Sequence, residues 1–215
     1  MLIDRTMPLG TALTVTYASD RGPRTHNADA YATNGRRTFV VADGVGDSAA
    51  AVEAAHAAAG AAALLTDPVA AILAARDALQ VHSGDAVIVV AVARPDGGFD
   101  VAWAGDARAY ASDGEDLVQL TTDHTVAEYF RERGLVPERR MEHVVTNTVR
   151  HATAGNIGRA ATRATRLVLA SDGVYGPLGH GGIEAIMAGH ASAERLVRAA
   201  LYAGGTDNAT ALVVS

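Results

Sequence analysis

The 215-residue sequence predicts a layered α+β sandwich. Seven segments are rich in β-branched residues or alternate apolar with polar residues, which indicates a large sheet content. These segments follow one another in runs instead of alternating singly with helices, which argues against a doubly wound parallel sheet. The predicted strands are 11–19, 37–43, 85–93, 99–105, 107–112, 165–171 and 209–215.

Turn signals organise the middle of the chain. The tripeptide "DGG" separates "AVARP" from "FDVAW", and "SDGE" separates "ARAYA" from "DLVQL". Both are typical of β-hairpins. Residues 85–120 are therefore predicted to form an antiparallel meander.

Helices are predicted between the strand runs. Two helical patterns, 48–65 and 68–80, follow the second strand, with Asp47 or Ser48 as the N-cap of the first and Pro68 opening the second. Three more patterns follow, one beginning at Thr125, where "TVAE" fits a capping box, and two covering 182–188 and 192–203.

Composition limits the classes of protein. The length fits one domain, residues 1–215, and 49% hydrophobic with 20% charged residues is typical of a folded chain. The net charge is -6, and the 18 basic residues, all arginine, are scattered, which predicts no nucleic-acid partner. Cysteine is absent, which excludes disulfides and cysteine zinc sites.

The amino terminus has no basic region followed by an apolar one, and the longest weakly polar run, "AAHAAAGAAALL", is too short to span a bilayer. We expect a cytoplasmic, monomeric protein without a membrane partner. The arginine and alanine bias is typical of a GC-rich bacterial genome.

Four aspartates stand at the edges of apolar strands: Asp43, Asp106, Asp172 and Asp207. A single Asp-Gly dipeptide is an ordinary turn. Four clustered acids would repel one another unless cations neutralised them, and their oxygens suit Mg²⁺ or Mn²⁺. Two such ions about 3.5–4 Å apart lower the pKa of a shared water and hold a phosphate for in-line attack.

A phosphate site also needs a fixed cation. Arg24 lies in "RGPRTHNADAY", just before a candidate strand and on the same stretch as Asn27 and Asp29. Its guanidinium can grip two phosphate oxygens at once. An isolated arginine would be a solvated surface residue, but the position of Arg24 close to the candidate acids supports a role in phosphate binding.

Six motifs, in order, resemble those of the metal-dependent type 2C (PPM) serine/threonine protein phosphatases in their compact bacterial form. They are "RTHNADAY", "VVADGVG", "WAGDARAY", "LTTDHTVAEYFRERG", "LVLASDGVYGPL" and "GGTDNATALVV". The resemblance covers nearly the whole chain. It implies a four-layer αββα sandwich, with two stacked antiparallel sheets flanked by helix pairs.

The resemblance also implies the metal ligands. Asp43 would bridge two catalytic Mn²⁺ or Mg²⁺ ions, and Gly44 would offer its carbonyl oxygen. Asp172 and Asp207 would bind the other face of the metal pair, and Asp106, with Asp172, would hold a third, weaker ion.

The remaining implied roles concern the substrate, a phosphorylated protein modified by a serine/threonine kinase. Arg24 would bind the phosphate, and Asp29 would orient metal-bound water for attack on it. Residues 133–150 would form a flap subdomain beside the site.

The sequence departs from the family pattern at several positions. Ala28 replaces Gln or Glu, Val45 stands where some relatives carry a histidine proposed as general acid, and Ala107 replaces serine. Asp47 occupies a usual glycine position, where it would either cap a helix, the favoured role, or add a carboxylate to the metal site.

Three functions share this ligand set. The leading hypothesis is metal-dependent hydrolysis of phosphoserine and phosphothreonine in proteins. A non-catalytic pseudophosphatase that binds a phosphoprotein is the second, favoured by Ala28 and Asp47. A hydrolase of small phosphate esters is the third. The complete set of acids favours an enzyme, because clustered carboxylates without metal repel one another.

Overall fold

A computed structural model describes residues 13–35, 37–114 and 116–215. Within these residues two five-stranded antiparallel sheets are present. Sheet one has the order β2 (Asp29–Asn34), β3 (Thr38–Gly44), β4 (Ala86–Ala93), β5 (Phe99–Ala104), β8 (Gly158–Thr162). Sheet two has the order β1 (Val15–Asp20), β10 (Ala209–Val214), β9 (Arg166–Ala170), β6 (Arg108–Ser112), β7 (Leu117–Gln119).

Helices cover the outer faces of both sheets. They are α1 (Ala49–Ala63), α2 (Pro68–Ala78), α3 (Val126–Arg131), α4 (Asp172–Met187) and α5 (Ala193–Tyr202). The pair α1 and α2 packs on sheet one, and the pair α4 and α5 packs on sheet two. This arrangement confirms the predicted α+β class and the αββα layer order. None of the helices in the described ranges is long and apolar enough to cross a membrane.

Alternation along the strands separates three apolar cores. In β3, Phe39 and Val41 face the core between the sheets, whereas Val40 and Ala42 face α1 and α2. A third core joins sheet two to α4 and α5. Both faces of β3 are therefore buried, which explains its continuous apolar sequence. Seven buried alanines of α1 let this helix lie close to sheet one.

Side-chain caps fix the helix starts. The Ser48 hydroxyl accepts from the amide of Ala51 (3.2 Å) and caps α1. The Asp67 carboxylate accepts from the amide of Ala70 (2.7 Å), with Pro68 in the first turn of α2. Each cap satisfies an amide that has no partner within its helix.

The predicted meander over 85–120 is wrong in its middle. The two hairpins exist, since β4 pairs with β5 and β6 pairs with β7, but β5 and β6 belong to different sheets. The chain crosses between the sheets at Gly105, where φ is +108° and a Cβ would collide with the side chain of Val87. Only glycine fits there without strain. Hairpin signals define pairs but not the sheet to which each pair belongs.

Three further elements differ from the sequence prediction. The helix expected at 182–188 is the second half of α4, which begins ten residues earlier and is broken at Gly179. Its first half was missed because glycine and proline indicate a turn. The strand β8 is absent from the prediction, and β2 is anticipated only as the candidate strand that follows Arg24, since the alternation of both is short and polar on one face. Residues 11 and 12 of the first predicted strand lie outside the described ranges.

The predicted flap, residues 133–150, contains one 3₁₀ turn, Arg139–His143. A single antiparallel bridge joins its Val145 to Thr125, the N-cap of α3. Two arginines of the segment, Arg133 and Arg140, pair with neighbouring glutamates on the surface. Main-chain hydrogen bonds also join the segment to the rest of the fold, from the Thr146 amide to the His124 carbonyl (2.7 Å) and from the Val149 amide to the Ala86 carbonyl (2.8 Å).

Gly158→Ala is expected to destabilise the fold. Gly158 in β8 lies opposite Trp103 in β5, and a Cβ at this position would overlap the indole ring. The buried Trp103 cannot withdraw freely, because its Nε1 donates to the Thr122 carbonyl (2.7 Å). Overpacking of this kind costs about 1–3 kcal/mol, or roughly 2–12 °C in Tm for this length.

Gly60→Ala is the matched control for thermal denaturation. Gly60 lies within α1, and a Cβ there would meet no atom within 4 Å. Alanine is the better helix former, so this variant is expected to gain up to about 1 kcal/mol. Equal melting temperatures for Gly158→Ala and the unmodified protein would contradict the packing argument.

Candidate active site

Antiparallel pairing brings the ends of several strands to one edge of the sandwich. β3 ends on Asp43 and Gly44, β9 leads directly into Asp172, and Asp207 precedes β10, which is antiparallel to β9. Asp106 lies in the crossing between β5 and β6. Four acids that are far apart in sequence therefore meet at one end of both sheets.

These acids line a single cleft of about 400 Å³. Arg24 and His143 lie on its wall together with apolar residues. The cleft contains Asp43, Asp106, Asp172 and Asp207, the four aspartates predicted from the strand ends. Gly44 is buried beside the cleft and is not part of its lining.

Asp29 lies beneath the cleft. It is buried and stands directly opposite Asp43 on the paired strands β2 and β3. Its Oδ2 accepts a hydrogen bond from the Ser171 hydroxyl (2.7 Å). Its Oδ1 has no hydrogen-bond partner among the described residues. A buried oxygen in that state is costly unless a cation or water reaches it.

Burial, and then mutual repulsion, raise the pKa values of these acids. Burial, followed by the charges of its neighbours, raises the pKa of Asp43 well above its usual value. Burial also raises the pKa of Asp29 to about 7, although hydrogen bonds from Ser171 and Thr210 oppose the shift. Burial and the charge of Asp172 raise the pKa of Asp106 to about 7. The cluster therefore lacks positive charge.

One arginine supplies part of that charge. The Arg24 Nη2 donates to Asp207 Oδ2 at 2.6 Å, and its Nε donates to the Thr206 carbonyl at 3.3 Å. About 40% of the Arg24 side chain remains exposed at the cleft wall. The guanidinium therefore stands beside the acids and in reach of a ligand entering from solvent.

The glycines that follow Asp43 and Asp172 allow close packing. A Cβ on Gly44 would collide with the carbonyl of Ala51 in α1, and a Cβ on Gly173 would collide with the carbonyl of Asn208. Gly173 thus lets the Asp172 turn lie directly against the Asp207 loop. Each of these glycines therefore allows the preceding carboxylate to lie close to another segment.

A partly buried ion pair supports Asp106, and neither of its members is among the predicted site residues. Arg108 makes hydrogen bonds to both oxygens of Asp123, the shortest 2.6 Å, and its guanidinium stacks 3.8 Å from the ring centre of Tyr175. The Tyr175 hydroxyl donates to the carbonyl of Asp106 (3.0 Å). All three residues lie within the quoted motifs, Arg108 in "WAGDARAY", Asp123 in "LTTDHTVAEYFRERG" and Tyr175 in "LVLASDGVYGPL", but no motif indicates that they contact one another.

Two more residues that sequence reasoning missed organise the site. The Asn208 side chain accepts from the amide of Ala28 and donates to the carbonyls of Arg21 and His26, each at 2.8 Å. The His143 Nδ1 lies 3.9 Å from an oxygen of Asp172. His143 is mostly exposed, so no sequence pattern indicates this contact.

The positions that depart from the family pattern occupy distinct environments. Ala28 is buried, and its carbonyl accepts from the amide of Gly44 (2.9 Å). Val45 is half exposed on the wall of the cleft. Asp47 does not cap α1, because Ser48 does. The favoured expectation for Asp47 is therefore wrong, and its carboxylate contacts the Arg24 segment instead.

The donor set fits hard divalent cations by its chemistry. Every candidate ligand is an oxygen, the acids repel one another, and Asp29 keeps a buried oxygen without a partner. Across residues 13–35, 37–114 and 116–215, no three acidic or histidine side chains converge on one point as a finished metal site. The cluster supplies the negative charge and the oxygen donors that such a cation requires.

Known proteins resemble this chain in sequence and in fold. It is 32% identical to the serine/threonine protein phosphatase PstP of Mycobacterium tuberculosis over 91% of its length, and spans 43% of PstP. A crystal structure of the PstP catalytic domain in complex with 2 manganese ions is 25% identical, with a TM-score of 0.77 over 94% of this chain and 97% of that one. No family model matches.

A third likeness concerns the fold alone. The crystal structure of serine/threonine phosphatase Stp1 from Staphylococcus aureus is 19% identical, with a TM-score of 0.83 over 100% of this chain and 99% of that chain. The sequence match and the shared sandwich agree with the order of motifs. In sequence and in fold the chain is similar to serine/threonine phosphatases of the PPM type.

Proposed function

We propose that this protein hydrolyses phosphoserine and phosphothreonine in proteins with the help of two Mn²⁺ or Mg²⁺ ions. The observation that carries the proposal is the convergence of Asp43, Asp106, Asp172 and Asp207 on one cleft with Arg24 at its wall. The named activity of PstP and the manganese ions bound to its catalytic domain support it. We further propose that residues 1–215 form one domain with 133–150 as its flap.

The proposed ligands are the side chains of Asp43, Asp172 and Asp207 with the Gly44 carbonyl, and Asp106 with Asp172 for a third, weaker ion. When bound, the ions supply Lewis-acid polarisation of the phosphoryl group and lower the pKa of a water nucleophile. The acids neutralise the ions and fix their place. In return, the ions relieve the mutual repulsion that raises the acids' pKa values.

Arg24 and Asp29 have different proposed tasks. Arg24 grips the oxygens of the substrate phosphate with its exposed guanidinium face, which orients the phosphorus for in-line attack. Asp29, held by Ser171 below the cleft, directs its free Oδ1 toward a proton of the attacking water. Val45 brings no titratable group, so the leaving group takes its proton from water.

A metal-dependent phosphate-release assay tests the proposal. The full chain is incubated with a phosphothreonine peptide, p-nitrophenyl phosphate and a nucleotide, first with Mn²⁺ and then with excess EDTA. We expect release from the peptide and from p-nitrophenyl phosphate with Mn²⁺ and none with EDTA. The absence of metal-dependent release from every substrate would overturn the proposed activity.

The same assay separates the competing functions. Release from the nucleotide alone would indicate a hydrolase of small phosphate esters. Tight Mn²⁺ binding in a calorimetric titration, with no turnover of any substrate, would indicate a phosphoprotein-binding module. Asp67→Asn is the control for the loss of a carboxylate outside the cleft, since Asp67 accepts a backbone amide and caps α2 on the outer layer. This variant is expected to keep full activity.

A further inference from the structure

Asp47 stands where the family usually has glycine, and it contacts the segment that carries Arg24. This segment, residues 21–28, is called the Arg24 loop and connects β1 of sheet two to β2 of sheet one. Asp47 Oδ2 accepts from the amide of Thr25 (3.1 Å), and Oδ1 accepts from the amide of His26 (2.9 Å). Oδ1 also contacts the His26 Nδ1 at 3.1 Å. One carboxylate thus binds two consecutive amides.

The Arg24 loop is attached on its other side as well. Asn208 holds the carbonyls of Arg21 and His26, and the Arg24 side chain reaches Asp207. Those contacts come from the loop before β10, in sheet two. Asp47 comes from the turn after β3, in sheet one. The loop is therefore fixed from both sheets, and Asp47 makes the side-chain attachment from sheet one.

Two other roles for Asp47 do not fit. The cap of α1 is Ser48. A metal-ligand role is opposed by the contacts of the carboxylate, because both oxygens already accept hydrogen bonds and Asp47 is not among the residues that line the cleft. Hydrogen bonds from Thr25 and then His26 lower the pKa of Asp47 to about 2, so the carboxylate is charged at neutral pH.

We infer that Asp47 is a positioning residue that holds the Arg24 loop so that the guanidinium of Arg24 meets the phosphate of the substrate. The inference rests on the proposed function. Asp47 acts on substrate binding. Without its carboxylate, the Arg24 loop retains its contacts to Asn208 but loses two charge-assisted hydrogen bonds. Arg24 then spends less time in the binding orientation. The metal ligands do not touch Asp47 in this arrangement.

Inorganic phosphate is the probe. Asp47→Ala is expected to raise the inhibition constant of phosphate and the KM of p-nitrophenyl phosphate about tenfold, the effect of losing one or two charge-assisted hydrogen bonds. The kcat is expected to change less than about twofold, since the lost contacts position a binding group. Mn²⁺ affinity, measured by calorimetry without substrate, is expected to stay unchanged. Asp47→Asn keeps one acceptor oxygen, and its phosphate inhibition constant is expected to lie between those of the unmodified protein and Asp47→Ala.

A double-mutant cycle with Arg24 separates positioning from general stability. In an Arg24→Ala background, Asp47→Ala is expected to add less than about twofold to the phosphate inhibition constant, because the two residues act in series. Additive effects, or a fall in kcat with unchanged phosphate affinity, would overturn the inference. Asp67→Asn again serves as the control, with a wild-type phosphate constant.

The outcomes also distinguish this inference from the proposed function. If the unmodified protein releases no phosphate and Mn²⁺-loaded protein binds no inorganic phosphate in calorimetry, the proposed function fails. If the unmodified protein does both and Asp47→Ala equals it in every constant, only the role of Asp47 fails. Melting temperatures of all variants, measured in EDTA, verify that each one is folded.

Discussion

Asp43→Asn is expected to lower kcat/KM for Mn²⁺-dependent release of phosphate from a phosphothreonine peptide by about 10³-fold or more. Asp43 is the proposed ligand shared by both ions, so its loss removes the charge that holds them together. Metal ions contribute several kcal/mol of transition-state stabilisation, and each 1.36 kcal/mol is tenfold in rate. Calorimetric titration is expected to show correspondingly weaker Mn²⁺ binding.

Misfolding is not expected to explain that loss. Asparagine has nearly the shape of aspartate, and the substitution removes a buried charge that four neighbouring acids disfavour. The variant is therefore expected to melt in EDTA at the same temperature as the unmodified protein, or higher. Asp100→Asn provides the control, because Asp100 pairs with Arg94 on the surface of sheet one. Retention of more than a tenth of the activity by Asp43→Asn would contradict the proposed ligand role.

Much of the fold could be predicted because its signals are local. The helix starts at Pro68 and Thr125, the continuous apolar run of β3 and the two hairpins all follow from neighbours in sequence. The separation of β5 from β6 could not be predicted, since it depends on the crossing at Gly105 packing against Val87. The same limit applies to the first half of α4, where the turn-forming residues lie inside a helix.

The candidate acids could be predicted for a different reason. A carboxylate at the end of a buried strand is costly unless it has a task, and antiparallel pairing gathers such ends at one edge. Their supports could not be predicted in the same way. Asn208, Tyr175 and Asp47 act through hydrogen bonds to the backbone of segments far away in sequence. No spacing in the chain encodes those contacts.

Removal of divalent metal is expected to make stability fall as pH rises. The pKa values of Asp29 and Asp106 are about 7 in the folded protein, raised mainly by burial, against about 3.9 in an unfolded chain. Between these values the folded state holds protons that the unfolded state has released. The free energy of unfolding therefore decreases from about pH 4 to about pH 7, and is lowest above it.

The free energy of unfolding is expected to decrease by about 3 kcal/mol over this pH range. This is less than the sum of the single-site shifts, because protons in such a cluster are shared. For a chain of this length this corresponds to roughly 6–12 °C in Tm. Thermal melts in EDTA at pH 5, 6, 7 and 8 measure it. Other groups titrate in the same range, so the decisive quantity is the difference between the unmodified protein and Asp43→Asn, whose slope is expected to be flatter.

Saturating Mn²⁺ is expected to offset most of this fall in stability. Protons compete with metal for the carboxylates, so the stabilisation by Mn²⁺ grows with pH, and at 100 times the dissociation constant it is about 2.7 kcal/mol. At pH 8 the metal is thus expected to raise Tm most, and at pH 5 least. A Tm in EDTA that rises between pH 5 and 8 equally in the unmodified protein and in Asp43→Asn would mean that the pKa values of the buried acids are not raised in the folded protein.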